Sequence, residues 1–135
     1  ILAVLTMDGC LSSELYDKAH QDLCLDRCGL DEIRKKAFYR VTPDYSISML
    51  HEWRKDCTNI RYLAEATPDT ADYINGLLRM HAVDEIILYT VPFISGSGRH
   101  FFKSALPEQH WTLSSLKSYP NGVCRIIYIL DKKAR

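Results

Sequence analysis

The chain opens on an unbroken apolar run, Ile1-Leu2-Ala3-Val4-Leu5, which suits a strand covered on both faces. Thr6-Met7-Asp8-Gly9 ends it as a turn. From Ser12-Ser13-Glu14, a capping start, apolar residues recur at helical spacing through Leu15, Ala19, Leu23, Leu25 and Leu30. Gly29 breaks that pattern, and Asp31-Glu32 start a second helix with Ile33, Ala37 and Phe38 inward. Tyr39–Thr42 is a short strand stopped by Pro43. Thr42 or Asp44 begins a helix carrying Ile47, Leu50, His51 and Trp53. Asn59–Leu63 is again a strand. Thr67-Pro68-Asp69 reads as a helix start, with a capping hydroxyl, proline at the first helical position and then an acid. That helix runs to about Met80 with Tyr73, Ile74, Leu77 and Leu78 inward. Glu85–Ile94 is a strand, followed by the loop Ser95–Gly98. His110–Ser118 and Val123–Leu130 form a hairpin, with Asn121-Gly122 supplying the positive dihedrals of a tight turn. The polar tail Asp131–Arg135 frays. Helices alternating with strands, then an antiparallel pair, predict a three-layer α/β fold with a mixed sheet.

Composition narrows the picture. At 135 residues the chain, 1–135, is expected to form a single domain. Seventeen basic residues balance seventeen acidic ones, which argues against a nucleic-acid partner. No apolar run reaches the roughly 20 residues of a membrane span. The first residue is Ile, so the sequence is read as a fragment, a processed product or the ordered part of something longer. Five cysteines at irregular spacings point to reduced thiols and a cytoplasmic location rather than a disulfide framework.

Several groups are candidates for chemistry. Gly96-Ser97-Gly98 follows a strand as a phosphate-binding turn would, but Phe101 stands where the dinucleotide fingerprint has its third glycine. A plain strand-ending turn is the preferred reading. The start of the helix at Thr67–Asp72 offers N–H groups to an anion, yet Asp69 and Asp72 already occupy that turn, which favours capping. His20, Cys24 and Cys28 share a helical face without a fourth ligand, so no metal is expected. Cys57 lies beside Arg54 and Lys55, but His51 is off its face, so a nucleophile–base pair is unsupported. Asp8 stands at the C-terminal end of a buried strand, the edge where open α/β sheets bind ligands. Against that stands a turn aspartate bonding its own backbone, and spacing does not separate the two.

Two segments carry a resemblance. Leu5-Thr6-Met7-Asp8-Gly9-Cys10-Leu11-Ser12 resembles the opening strand and loop of the reductase domain of the bifunctional riboflavin-biosynthesis deaminase/reductase, a branch of the dihydrofolate-reductase-like superfamily. Leu78 to Phe102 is similar to that family's pattern of Val-Asp-Glu (Val83-Asp84-Glu85), a hydrophobic strand, proline (Pro92), Gly-x-Gly (Gly96 to Gly98) and phenylalanine. With the C-terminal hairpin these cover a little under half of the chain.

The resemblance implies a dihydrofolate-reductase-like fold, NADPH as cofactor and a pyrimidine- or pterin-type substrate. In the family that substrate is a phosphoribosylamino-pyrimidine reduced at the ribose C1′. It places Leu5 beside the nicotinamide, Asp8 against cofactor and substrate, Ser12 against substrate, and Thr70 and Ala71 against the cofactor. It also implies a homodimer, and the apolar hairpin, whose edge needs cover, points the same way. The chain departs from the family in being shorter. It also has Ala66-Thr67-Pro68-Asp69-Thr70-Ala71-Asp72 where the family carries a glycine-rich cofactor turn. That departure keeps a second reading open, a family-like binding module that has lost its dinucleotide loop.

Overall fold

The computed structural model describes residues 1–11, 28–56, 60–96, 99–103 and 105–131. Strand β1 (Leu2–Leu5) pairs in parallel with β5 (Glu85–Thr90), Leu2 opposite Ile87 and Leu5 opposite Thr90. β5 runs antiparallel to β8 (Cys124–Leu130), which runs antiparallel to β7 (Trp111–Ser118). The sheet order is therefore β1-β5-β8-β7. On the free edge of β1, Leu2 N–H donates to Ala64 O at 2.9 Å and Ala66 N–H to Leu2 O at 2.8 Å. The stretch after β4 (Tyr62–Leu63) thus lies parallel to β1, and β4 pairs in parallel with β3 (Tyr39–Arg40). A separate antiparallel ribbon joins β2 (Cys10–Leu11) to β6 (Arg99–His100).

Alternation along the strands sorts side chains into two cores. Ala3, Leu5 and Ile86 share one core with Ile74, Leu77 and Leu78 of α3 (Ala71–Arg79) and with Leu50 of α2 (Ile47–Asp56). Leu2, Val4, Ile87 and Tyr89 face the other way and pack with Leu30 of α1 (Leu30–Lys36). Helices thus cover both sides of β1 and β5, and the expected three-layer mixed sheet is present. Gly76 allows α2 to approach α3, because a Cβ there would stand 3.0 Å from Ile47 Cδ1.

Several boundaries differ from the sequence expectation, each for a local reason. The helix expected from Thr67 begins at Ala71, because residues 68–70 form a turn closed by Thr67 and Thr70. Its end is a crossed pair of bonds, His81 N–H to Leu78 O and Ala82 N–H to Leu77 O, with His81 at φ 55 where glycine is usual. α2 starts at Ile47 behind Ser46, whose Oγ accepts from Met49 N–H at 3.4 Å, rather than at Thr42 or Asp44. Pro43 puts those residues in a turn closed by Tyr45 N–H to Thr42 O. Phe38 is 71% exposed instead of inward, because the chain leaves α1 at Ala37 and Phe38 N–H bonds Arg61 O. The strand expected through Ile94 ends at Thr90. Past it Pro92, lacking an N–H, cannot continue the ladder.

The hairpin between β7 and β8 forms, but not with two positive dihedrals. Only Gly122, at φ 91, is left-handed. Gly122 N–H bonds Tyr119 O at 3.0 Å and Tyr119 N–H bonds Val123 O at 2.9 Å. Proline's fixed φ at the second position favours an ordinary turn followed by a glycine bulge over the mirror-image turn.

Candidate functional site

Adjacent strands that send their connections to opposite faces open a crevice at their C-terminal ends, where α/β sheets bind ligands. β4 and β1 do this. The chain leaving the β4 edge enters α3, packed on one face, while the chain leaving β1 leads to α1 on the other. That rule puts the candidate ligand edge at the turn of residues 6–9 and the turn of residues 67–70, which follow the C-terminal ends of β1 and of the stretch paired with it.

The first turn is held by side chains. Thr6 is buried, and its hydroxyl donates to Asp8 Oδ1 while accepting Cys10 N–H at 3.0 Å. Asp8 reaches across to the loop after β5, accepting Ser95 N–H on Oδ1 and Gly96 N–H on Oδ2, each at 3.1 Å. Met7 N–H adds a bond to Phe93 O at 2.7 Å. The Thr6 hydroxyl, followed by the Gly96 and Ser95 amides, holds the Asp8 carboxyl well below the usual carboxylate range. The amides of this loop do meet an anion, and it is the chain's own Asp8. Asp8 thereby latches the ends of β1 and β5 together. Leu5, just before it, is buried, and its carbonyl accepts Val91 N–H at 2.9 Å.

The second turn is closed locally. Thr67 N–H donates to Thr70 Oγ1 at 2.8 Å and Thr70 N–H to Thr67 Oγ1 at 3.2 Å. The Thr70 hydroxyl also donates to Glu65 O at 2.9 Å. Thr70 stands at the N-cap of α3 but makes no side-chain cap bond, so its hydroxyl does not occupy the helix's opening N–H groups. Ala71 is fully buried, while Asp69 and Asp72 are exposed at this end. Arg99 crosses from β6 and donates to Pro68 O at 3.0 Å, which ties the ribbon to this turn. An anion at this helix start would meet its opening N–H groups together with the exposed carboxylates of Asp69 and Asp72.

Asn75 was invisible as a site residue in the sequence. It is fully buried on α3, donates to Ala71 O at 2.8 Å and Phe101 O at 2.7 Å, and accepts Lys103 N–H at 3.1 Å. It fixes the segment after β6 onto α3, which seats Phe101 in the core. A polar residue between Ile74 and Leu77 on an apolar helix face was the available signal.

The remaining candidates separate. Ser12, His20, Cys24, Cys57 and the Ser97-Gly98 half of the glycine loop lie outside the described residues. Cys28 is buried, and its Sγ accepts from Asn121 Nδ2 at 3.9 Å. Among the described residues no group of histidine, cysteine and acid side chains is placed to hold a metal. Cys10 Sγ lies 3.7 Å from His100 Nδ1, but burial and the Asp8 charge push its thiol up, away from a reactive thiolate. Among the described residues no helix is long and apolar enough to cross a membrane.

Solved structures share this architecture. A Shewanella sp. PV-4 protein, provisionally described as a riboflavin biosynthesis protein, superposes with a TM-score of 0.55 at 12% identity. The match covers 97% of this chain and 98% of that one. Acinetobacter baumannii RibD overlaps more loosely, at 17% identity and a TM-score of 0.49, over 65% of this chain and 25% of RibD. A pyrimidine reductase-like protein from Corynebacterium diphtheriae gives 12% identity and a TM-score of 0.43, over 97% of this chain and 91% of that one. The last two are too loose to carry weight. No family model and no curated protein matches the sequence. The chain has the dihydrofolate-reductase-like fold, and at this identity the likeness is one of fold.

Proposed function

We propose that this chain is a reductase using NADPH to deliver hydride to a pyrimidine- or pterin-type substrate, of the kind acted on in the riboflavin pathway. The observation that supports the reading is the pair of turns that follow the parallel ends of β1 and the β4 stretch, the Asp8 turn and the uncapped start of α3. The dinucleotide supplies the hydride. The protein's part is positional, and a stiff wall serves it: the Asp8 latch fixes the turn beside Leu5, against which the nicotinamide is read to lie. Thr70 and Ala71 place the start of α3 for the phosphates, and Asp8 and Ser12 border the substrate. A homodimer completes the proposal, using the β7–β8 part of the sheet. There Leu113 and Leu116 are 52% and 64% exposed.

One observation favours the second reading, a binding module without catalysis. The turn where the family carries glycines has its Thr67 and Thr70 amides bonded internally, and Asp69 and Asp72 repel phosphate. Calorimetric titration with NADPH separates the two. The reductase reading expects saturable binding in the micromolar range, about −8 kcal/mol. Absence of binding at millimolar NADPH leaves the module reading. Light scattering at micromolar protein concentration tests the dimer, and a monomer mass removes it.

A further inference from the structure

The α1-facing side of the hairpin carries two cations in register. Arg125 of β8 stands opposite Lys117 of β7, and on its other side opposite Tyr89 of β5, so all three share one sheet face. Like charges directly opposite on neighbouring strands repel. The ion pairs of the described residues join Arg34 to Glu65, Lys35 to Asp31 and Arg61 to Glu85, and none of them neutralises Arg125 or Lys117.

The guanidinium has a neutral partner in the Tyr89 hydroxyl, and no ion pair among the described residues supplies a charged one. The Cys28 carbonyl is not free to accept as well, because Tyr89 OH and Tyr119 OH already donate to it at 2.7 and 2.8 Å. Both of its lone pairs are thereby used. Arg125 Nη1 lies over Gly29, where a Cβ would stand 3.0 Å from it, and Arg125 Nε is buried with no protein acceptor. A buried donor on a charged group left without a partner calls for one. Lys117 Nζ sits 5.2 Å from the centroid of the Tyr119 ring, on the strand position opposite Arg125.

We infer that Arg125 and Lys117, framed by Tyr119, form a binding site for a phosphate dianion, free or as a monoester. Two positive charges in register, with no carboxylate ion-paired to either among the described residues, match a dianion better than a carboxylate, and guanidinium and ammonium together suit phosphate oxygens. The site lies on the α1 side of the sheet, whereas the start of α3 lies on the other, so it does not depend on the dinucleotide reading.

The test follows the Arg125 Nε–H signal in ¹H–¹⁵N spectra of the whole chain. Inorganic phosphate is titrated at ionic strength held constant with sodium chloride, and glycerol 3-phosphate in a second series. A saturable shift is expected, half complete at ~1–5 mM, the weak regime set by few contacts. Lys117→Met, an exposed change whose remaining spectrum reports an intact fold, should raise that concentration about tenfold. A shift that never saturates, an equal response to chloride alone, or an unchanged midpoint in Lys117→Met overturns the site. The tighter of the two probes tells whether it reads the free ion or an ester.

Discussion

The two halves of the sheet are built from similar sequence and treated differently by the fold. β5 reads Glu-Ile-Ile-Leu-Tyr-Thr and β8 reads Cys-Arg-Ile-Ile-Tyr-Ile-Leu, and the two are paired in register. In β5, Ile86, Ile87 and Tyr89 are buried, whereas in β8 only Leu130 is. Every residue of β7 is half-buried or exposed. The difference lies in the layers above and below. α3 and α1 cover β1 and β5, whereas of the hairpin only Val123 and the partly buried Trp111, Tyr119 and Ile127 pack into the two cores. An apolar strand therefore identifies a sheet, and only the position of the helices decides which strands form the core and which remain as surface.

Substitutions can break this contrast, beginning with the covered half. Phe101→Ala removes a fully buried ring from the α3-side core and should cost about 3–5 kcal/mol in chemical denaturation, with the slope little changed. A loss below about 1 kcal/mol would mean that this core is far looser than its burial implies. At the hairpin tip, Gly122→Ala forces a Cβ to 3.2 Å from Pro92 Cγ at φ 91, and should cost about 1–2 kcal/mol. An unchanged midpoint would show that the bare half is not held to the β5 end by this contact.

The latch is tested by pH. Because the native carboxyl of Asp8 is held below its unfolded value, its contribution is fully present above about pH 4. It fades as the pH falls through the native value. Asp8→Asn should therefore lower the melting temperature at neutral pH, and the gap to the parent protein should narrow on acidification below about pH 4. A gap that stays constant with pH would remove the latch as a charge-dependent contact. The smallest effect belongs to the bare half. Leu116→Glu should change monomer stability by no more than about 0.5 kcal/mol, since the side chain is 64% exposed, while abolishing the proposed dimer in light scattering. A destabilisation of several kcal/mol would show that this face is covered within the monomer.

The two turns of the candidate site show how unevenly it was legible. The Thr67–Thr70 turn is closed by residues three apart, so a turn there was readable, but the sequence pattern marks Thr67 as the helix cap, whereas the helix begins at Ala71 with no side-chain cap bond. Asp8 was readable as a residue at a strand's C-terminal end. Its partners Ser95 and Gly96 lie 87 and 88 residues away, and no spacing rule brings them together. Asn75 joins Phe101 and Lys103 by the same kind of long-range contact. Phe38 was misplaced because periodicity continued the helix, whereas pairing with Arg61 drew the chain out of it.

By itself the sequence determined the long strands and the described helices in their order, the buried character of β1, the hairpin, and the Asp8 turn, but not the short strands β2 and β6. These rest on interactions between near neighbours: apolar periodicity, caps, proline and glycine dihedrals. Only the tertiary structure decided the strand order, the switch point between β4 and β1, the latch from Asp8 to the β5 loop, and the Arg125–Lys117 face. Each of these depends on which distant segments meet. That is settled by burial of the two cores together and by the bonds that buried polar groups must find, not by local preference.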